Sequence, residues 1–444
     1  MPGIDTIAAI ATPPGVGGIG IVRISGPEAL KIGETLTAAN LQPNQVRFRK
    51  FLDVAGQTLD HGLCFYCQAP HSFSGEDVVE IQGHGGPILL DMLLERICEL
   101  GARLARAGEF SERAFLNGKL DLAQAEAIAD LIESGSRAAT KAAMRSLEGK
   151  FSTQIHQLVD EIINLRAYVE AALDFAEEEI DFLEDSVIGE RLKQSLVGLN
   201  DILRQAENGR VLNEGLTVAL AGLPNAGKSS LLNYLAGYEA AIVTEIAGTT
   251  RDVVREHISL KGIPLRINDT AGLRDSENLV EQEGIRRAWA EIDKADVILL
   301  LVDANIGVTK ADRQIIERLG SAGYQLIYSK SDLLSEQSQR NPEAHYISTL
   351  NGDGMDKLID LITYKLSDYN QDNQAIMARR RHVDALQKAR ASLHQAQQAF
   401  SDTRSGELMA EDLRDAQNSL SEITGEFTSD DLLGKIFSSF CVGK

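Results

Sequence analysis

The spacing of apolar residues divides the first half of the chain into two parts. Short apolar runs at Thr6–Ala11 and Ile19–Ile24, separated by a Pro-Pro-Gly turn, predict strands, and Leu89–Leu100 has helical spacing. From Leu120 to about Leu212, apolar residues recur at three- and four-residue steps with no proline. This pattern predicts long helices packed in a bundle.

The pattern changes again near Gly215. Short apolar strands alternate with helical segments up to about residue 368, which indicates a parallel sheet with crossover helices. Helical spacing resumes from Asn373, so the simplest interpretation is an α/β domain inserted into a helical one. The predicted domains are residues 1–118 (N-terminal, α+β), 119–210 (helical, first half), 211–369 (inserted α/β) and 370–444 (helical, second half).

Composition and charge narrow the possible classes of protein. Apolar residues make up 43% of the 444 positions, and the longest purely apolar run, Val297–Val302, is far too short to span a membrane. No basic region precedes the first apolar stretch, so we expect no secretory signal, and the four cysteines favour a reducing cytoplasm. The net charge of −21 repels polyanions, so a nucleic-acid partner would need a local basic patch or a second protein.

Two short motifs have competing interpretations. Cys64 and Cys67 form a lone C-x-x-C without a second pair at zinc-site spacing, so we favour a half-buried strand over a metal or redox site. Gly15–Gly20 matches a dinucleotide fingerprint by its letters, but Ile21–Ile24 after it has the pattern of a strand. A dinucleotide fingerprint requires a helix there, so we interpret the glycines as a backbone turn or as a place where the backbone approaches a bound ligand.

A P-loop occurs in the context that it requires. Gly222-Leu-Pro-Asn-Ala-Gly-Lys228-Ser229 follows an apolar strand, Leu216–Ala221, and precedes a helical pattern. The glycines let backbone N–H groups converge on phosphates, and the helix N-terminus adds its dipole. We expect Lys228 to reach the β- and γ-phosphates and the Ser229 hydroxyl to ligate Mg²⁺.

The remaining phosphate contacts are predicted from a second strand, Pro264–Asn268, and from the loop before it. Asp269-Thr-Ala-Gly272 follows that strand, so Asp269 fits the Mg²⁺-side carboxylate and the Gly272 N–H fits a γ-phosphate sensor. Thr250 lies in the predicted switch loop and is expected to be the second Mg²⁺ ligand.

The choice of base is assigned to Ser329-Lys-Ser-Asp332, at the end of a strand at Gln325–Tyr328. Asp332 can accept hydrogen bonds from the guanine N1–H and 2-amino groups, and the Lys330 stem can cover the base. GTPases usually have Asn where Ser329 stands, so we expect GTP binding weaker by about 1 kcal/mol. The inserted domain is thus predicted to be a Ras-like α/β GTPase. Its predicted GTP contacts are Asn225, Ala226, Gly227, Lys228, Ser229, Ser230, Thr244, Glu245, Ile246, Ala247, Gly248, Thr249, Thr250, Asp269, Thr270, Ala271, Gly272, Ser329, Lys330, Asp332, Ser348 and Thr349.

The catalytic residues depart from the Ras-like pattern. Leu273 stands where that pattern has a water-orienting Gln. Glu281 is placed to enter from the neighbouring switch region, or it is a helix N-terminal carboxylate favoured by the dipole. Asn225 can offer its side-chain oxygen to a monovalent cation, whose charge would replace that of an arginine finger.

The chain resembles the MnmE (TrmE) family of tRNA-modification GTPases over essentially all of its length. The resemblance rests on residues 5–15 (DTIAAIATPPG), 75–86 (GEDVVEIQGHGG), 108–121 (GEFSERAFLNGKLD) and 440–444 (FCVGK), together with the GTPase motifs. It implies a multidomain fold in which the N-terminal domain binds folate and forms a homodimer.

The resemblance also implies an activity and its partners. The activity is modification at C5 of the wobble uridine (U34) of certain tRNAs. The one-carbon donor would be 5-formyl- or 5,10-methylene-tetrahydrofolate, and the partner an MnmG (GidA)-type FAD protein in a cytoplasmic heterotetramer. Dimerisation of the GTPase domains would depend on K⁺ and activate hydrolysis. The matching residues are Asn225, Thr244, Ile246 and Thr249 for K⁺, Glu281 for catalysis, and Arg23, Glu80, Lys119 and Lys444 for folate.

Three alternatives remain open on the sequence alone. Cys441 is either a nucleophile near the modification site, helped by Lys444, or a surface cysteine. Arg379-Arg-Arg-His382 is either a solvated helix face or a contact for tRNA phosphates. Finally, GTP hydrolysis either drives the modification or only switches association with a partner.

Overall fold

A computed structural model describes residues 5–174, 186–238, 255–260, 263–269, 286, 288–290, 292–320, 323–334, 344–370, 375–403, 405–426, 430–441 and 443. The chain forms two compact units. One comprises Met1–Glu133, Ala143–Asn200 and Asp384–Lys444, and the other comprises Ser134–Ala142 and Asp201–Val383. Most of the second unit is therefore an insertion in chain order. The exact domain boundaries given above stay predictions.

The N-terminal region is a six-stranded sheet with helices on one face. Its order is β3-β4-β5-β2-β1-β6, and every pairing is antiparallel except β1 with β6. Two helices cover the face that carries Val22, Ile24 and Ile81. The strands are β1 (Ile7–Ile10), β2 (Gly17–Ser25), β3 (Arg47–Leu52), β4 (Thr58–Cys67), β5 (Val78–Gly85) and β6 (Arg103–Leu104), and the helices are α1 (Ala29–Thr37) and α2 (Pro87–Glu99).

Both short motifs of this region lie in strands. β2 begins at Gly17, so a strand and not a helix occupies this position, as predicted; however, Gly17, Gly18 and Gly20 belong to the strand itself and not to the predicted turn. Cys64 and Cys67 both lie on β4, three residues apart, so their side chains point to opposite faces. Cys64 is buried, and burial raises the pKa of its thiol to about 12.

A helical segment follows, and from Leu120 onward its helices were predicted by the three- and four-residue spacing. Its helices are α3 (Glu109–Leu116), α4 (Leu122–Glu133), α5 (Arg137–Leu147), α6 (Lys150–Asp174) and α7 (Ser186–Glu214). No helix in the described part of the chain is long and apolar enough to cross a membrane.

The inserted domain is a six-stranded sheet of order β12-β11-β10-β7-β9-β8, parallel except for the edge strand β8. Apolar clusters cover both faces, so its central strands are buried on both sides. The elements are β7 (Leu216–Ala221), α8 (Lys228–Tyr238), β8 (Arg255–Leu260), β9 (Ile263–Asp269), β10 (Val297–Asp303), α9 (Lys310–Leu319), β11 (Tyr324–Ser329), β12 (His345–Tyr346) and α10 (Met355–Asn370). The predicted strands are confirmed to within one residue.

The C-terminal segment returns to the helical region. Its helices are α11 (Arg380–Gln398), α12 (Gly406–Thr424) and α13 (Asp430–Ser438). α12 packs along α6, where Arg166 Nη1 donates to Gln417 Oε1 at 2.6 Å. The predicted fold class is confirmed: an N-terminal α+β domain, a helical domain, and a Ras-like α/β domain between the two helical segments.

Candidate functional site

The loop between β7 and α8 has a backbone suited to phosphates. Gly222 and Gly227 have φ angles of 138° and 95°, and Asn225 is left-handed at 65°. A Cβ on Gly222 would lie 2.4 Å from the Leu301 carbonyl oxygen of β10, so any larger residue would push the loop off the sheet. Helix α8 begins at Lys228, so its N-terminal amides and dipole face the same loop.

The side chain of Lys228 folds back onto the P-loop. Its Nζ donates to the carbonyl oxygens of Gly222 at 2.8 Å and Leu223 at 3.0 Å, and the residue is 7% exposed. An ammonium held by two neutral carbonyls can exchange them for phosphate oxygens. Ser229 is exposed on the first turn of α8, and Asn225 is exposed at the tip of the loop.

The parallel strands bring the predicted motifs to one edge of the sheet. Asp269, at the end of β9, is paired in register with Leu220 next to the P-loop. Asp303, at the end of β10, is paired with Ser329 at the end of β11. The carboxyl edge of a parallel sheet is where ligands of such folds bind.

Ser329 connects the base-recognition segment to the P-loop. Its hydroxyl donates to the Ala226 carbonyl oxygen at 2.6 Å and lies 3.2 Å from that of Val302. A Cβ built on Gly227 would be 3.3 Å from the Ser329 side chain, so the two segments are in close contact. The serine therefore makes a hydrogen bond to the P-loop, although it lacks the amide usual at this position. The weaker GTP binding expected from this substitution stays a prediction.

Asp303 is a site residue that the sequence reasoning missed. The Lys330 ammonium lies 2.8 Å from Asp303 Oδ2, and Lys330 itself is left-handed, with φ 55°. Burial raises the pKa of the Asp303 carboxyl, but hydrogen bonds from Lys330 and the Asn305 amide outweigh it and hold the pKa below its ordinary value. The pair positions the lysine stem. A carboxylate that ends a fully apolar strand is the signal that would have found it.

Asp332 is oriented by the loop predicted to close over the base. Its Oδ1 accepts from Ser348 Oγ at 2.6 Å, and the Ser331 amide donates to the Ile347 carbonyl oxygen at 3.0 Å. Asp332 is exposed and Thr349 is half-buried. An exposed carboxylate held at one oxygen can present the other to a guanine edge.

The switch side of the predicted site is outside the described residues. This applies to Thr244, Glu245, Ile246, Ala247, Gly248, Thr249, Thr250, Thr270, Ala271, Gly272, Leu273 and Glu281. Lys444 of the predicted folate site also lies outside the described residues. Their predicted roles stay predictions.

In the N-terminal sheet, Arg23 and Glu80 form a partly buried ion pair. Arg23 Nε lies 2.7 Å from Glu80 Oε1, and the side chains are 22% and 14% exposed. The Arg23 guanidinium also lies over the rings of Phe73 (5.3 Å) and Phe110 (5.6 Å). A charged hydrogen-bonding pair between aromatic rings suits a flat heteroaromatic ligand that has polar edges.

Lys119 contacts the same loop as the ion pair. Its Nζ donates to the Pro70 carbonyl oxygen at 3.0 Å, and its side chain would be 3.1 Å from a Cβ on Gly75. Residues 68–77 thus connect Lys119 to Phe73, which lies against Arg23.

The end of the chain packs against the N-terminal region. The Gly108 amide donates to the Cys441 carbonyl oxygen at 3.3 Å, and Cys441 is exposed. A Cβ on Gly443 would lie 2.3 Å from the carbonyl oxygen of Ile10, at the end of β1. In that strand Ala9 is the register partner of Arg23, so the C-terminal segment reaches the strand beside the ion pair.

The basic cluster at 379–382 is divided by the start of α11. His382 is buried, and its Nδ1 accepts from the Arg379 amide at 3.0 Å. Arg380 is exposed, and its amide donates to Glu214 Oε1 at 3.0 Å. The histidine is therefore part of the helix start and not of a solvated face.

A P-loop that opens a helix, joined at the carboxyl edge of a Ras-like sheet to a Lys-x-Asp segment, defines the class of P-loop GTPases.

Two family models match: the GTP-binding protein TrmE N-terminus over residues 6–119 and the MnmE helical domain over residues 122–441. Three similar relatives are each called tRNA modification GTPase MnmE. That of Hydrogenovibrio crunogenus is 51% identical over 99% of both chains. Those of Legionella pneumophila subsp. pneumophila (52%, 99% of this chain and 100% of the relative) and Marinobacter nauticus (52%, 100% of both) are equally close. The chain belongs to the MnmE (TrmE) family of tRNA modification GTPases.

Proposed function

We propose that the protein hydrolyses GTP to drive the modification of the wobble uridine of tRNA at C5, installing (carboxymethyl)aminomethyl groups. The observation that carries the proposal is the Ser329 hydrogen bond to Ala226. It joins the phosphate loop to the segment that holds Lys330 and Asp332, in a chain whose other regions match the family models.

In the proposed GTP complex, the P-loop amides and the α8 dipole hold the phosphates. Lys228 moves from the carbonyls of Gly222 and Leu223 to the β- and γ-phosphates, and Ser229 ligates Mg²⁺. Ser229 would hold the Mg²⁺, whose positive charge would offset the charge that develops on the phosphates. Asp332, oriented by Ser348, accepts from the guanine base.

Activation of hydrolysis is proposed to use K⁺ and a carboxylate. Asn225 is exposed in a left-handed conformation at the loop tip, which leaves its side-chain oxygen free to face a cation beside the phosphates. Glu281 would orient the attacking water in place of the missing glutamine. Dimerisation of the GTPase domains would bring these groups together.

The Arg23–Glu80 pair is proposed to hold a tetrahydrofolate derivative. The aromatic surroundings of Arg23 suit the pterin ring, and the two charged groups suit its polar edge. Bound folate would supply the one-carbon unit. The contact of Gly443 with β1 supports a role of Cys441 near this ion pair. A flavoprotein of the MnmG type and a homodimer through the N-terminal domain complete the proposal.

Two measurements test this function. Wobble-uridine analysis of tRNA from a deletion strain should show loss of the C5 substituent. Titration of the purified protein with 5-formyltetrahydrofolate should saturate, and Arg23→Ala should weaken this binding while GTP turnover is retained. Normal wobble uridine together with no folate binding at millimolar ligand would favour a GTP switch that controls association alone.

A further inference from the structure

Strand β3 is an edge strand whose charge is opposite to that of the chain. It lies at one end of the N-terminal sheet, beside β4. Its six residues include Arg47, Arg49 and Lys50 and no carboxylate, in a chain of net charge −21. Among the described residues, the recorded acceptors of the two arginines are neutral: Arg47 donates to the Gln45 amide and Arg49 to a main-chain carbonyl. Arg47 is exposed, so its charge is available to an anion, whereas Arg49 is half-buried and its Nε is buried.

An aromatic ring is exposed between these cations. Phe48 is 66% exposed and stacks on His61 of β4, with ring centroids 6.2 Å apart and an angle of 18° between the planes. Leu63, the register partner of Phe48, is 41% exposed. Exposing apolar rings costs free energy, and this one contributes little to the core. A further planar ring can stack on the exposed part of Phe48.

The strand pleat distributes the cations around the ring. Successive residues point to opposite faces, so Phe48 and Lys50 share one face and the two arginines share the other. Lys50 is the register partner of His61, which places its charge next to the stacked pair. Both faces of the edge thus present positive charge within one or two residues of an exposed aromatic. This is the combination that binds single-stranded nucleic acid.

We propose that this β3 edge surface, formed by Arg47, Phe48, Arg49, Lys50 and His61, binds an unpaired RNA segment, such as the loop of a tRNA substrate. A base stacks on Phe48, and the phosphates on either side of it pair with Arg47 and Lys50. A duplex fits less well, because its bases are already stacked and cannot reach the ring. The inference rests on the proposed function, since it takes RNA to be the substrate.

The test is fluorescence anisotropy of the full chain with a labelled RNA hairpin that has an unpaired loop. Phe48→Ala should weaken binding by roughly tenfold or more, and Phe48→Leu should do nearly the same, because it keeps apolar bulk but no ring. In the double variant Arg47→Ala, Lys50→Ala, the plot of log affinity against log salt should be less steep, with a slope smaller in magnitude by about 1.4. A fully paired RNA of equal length should bind more weakly and respond less to the Phe48 variants.

Two matched substitutions control for general effects of exposure and charge. Ile88→Ala removes another exposed apolar side chain and Lys31→Ala another exposed cation, both on helices of the same domain. Neither should change RNA affinity. Circular dichroism and the GTPase rate should be unchanged in all variants, which separates loss of binding from loss of fold.

The outcomes distinguish this inference from the proposed function. If the wild-type chain binds no RNA hairpin, the inference is overturned, and wobble-uridine analysis still decides the function independently. If the wild type binds and the Phe48 and Arg47/Lys50 variants bind equally well, the β3 surface is not the RNA site. If these variants instead weaken self-association in sedimentation, with RNA affinity unchanged, the surface is a protein interface and the inference is wrong.

Discussion

Replacing Ser329 with alanine tests whether its hydroxyl holds the P-loop in the nucleotide-binding conformation. The Ser329 hydroxyl lies 2.6 Å from the Ala226 carbonyl oxygen, and the residue is 4% exposed, so water cannot easily replace this bond. A buried neutral hydrogen bond contributes about 0.5–1.5 kcal/mol net. If the loop loosens without the bond, the binding-competent fraction falls, and the affinity loss can reach the full free energy of the bond, which corresponds to about 2- to 13-fold.

The assay is titration with a fluorescent guanine nucleotide in Mg²⁺ buffer, with thermal unfolding measured in parallel. Ser329→Cys keeps nearly the same volume with a poor donor, so it should resemble the alanine variant. Thr309→Ala removes the capping box of α9 and should cost about 1 kcal/mol of stability without changing nucleotide affinity. An affinity of Ser329→Ala within twofold of wild type would refute the coupling. Equal affinity losses in Ser329→Ala and Thr309→Ala would reduce it to a general effect of stability.

The remaining predictions concern catalysis, acid stability and the C-terminal segment. Exchanging Na⁺ for K⁺ at constant ionic strength should raise the rate of phosphate release, and Asn225→Ala should remove the difference; a wild-type rate indifferent to the cation contradicts the proposal. Glu281→Ala should lower turnover with GTP affinity nearly intact, whereas equal losses in both would make Glu281 structural. Burial raises the pKa of Glu109, but hydrogen bonds, the largest from Arg103, lower it to about 2, below its ordinary value of 4.5. The ionised carboxylate therefore adds up to about 3 kcal/mol to the free energy of unfolding above pH 4.5, and this contribution is lost as the pH falls towards 2. Glu109→Gln should flatten the pH dependence of the unfolding free energy between these two pH values. Gly443→Val should displace the C-terminal segment from β1 and weaken folate binding while GTP binding is retained, as titration of each ligand would show.

Much of the nucleotide site could be predicted because its motifs are local. The P-loop depends on a short segment whose strand, glycines and helix start are adjacent in sequence, and β7 has the predicted bounds, Leu216–Ala221. The buried strands of the inserted domain are continuous apolar runs, which makes them easy to recognise. The N-terminal strands β3 to β5 were not separated by sequence reasoning, since half-buried edge and antiparallel strands alternate with weaker contrast.

Contacts between distant segments could not be predicted in the same way. Nothing near Ser329 in the sequence indicates Ala226, which is 103 residues away, and the ion pair of Lys330 with Asp303 spans 27 residues. Each contact depends on strand order and register, which bring the carboxyl ends of β7, β10 and β11 to one edge.

The sequence by itself determined which chemical groups the protein carries and which local backbone holds them: the P-loop, the Lys-x-Asp segment and the inserted order of the domains. Only the tertiary structure decided which of these groups meet. It placed Ser329 on the P-loop, Arg23 between Phe73 and Phe110, and an exposed Phe48 on a basic edge strand. The reason is physical: propensity and hydrophobic period act over a few residues, whereas these contacts follow from the packing of whole strands and helices.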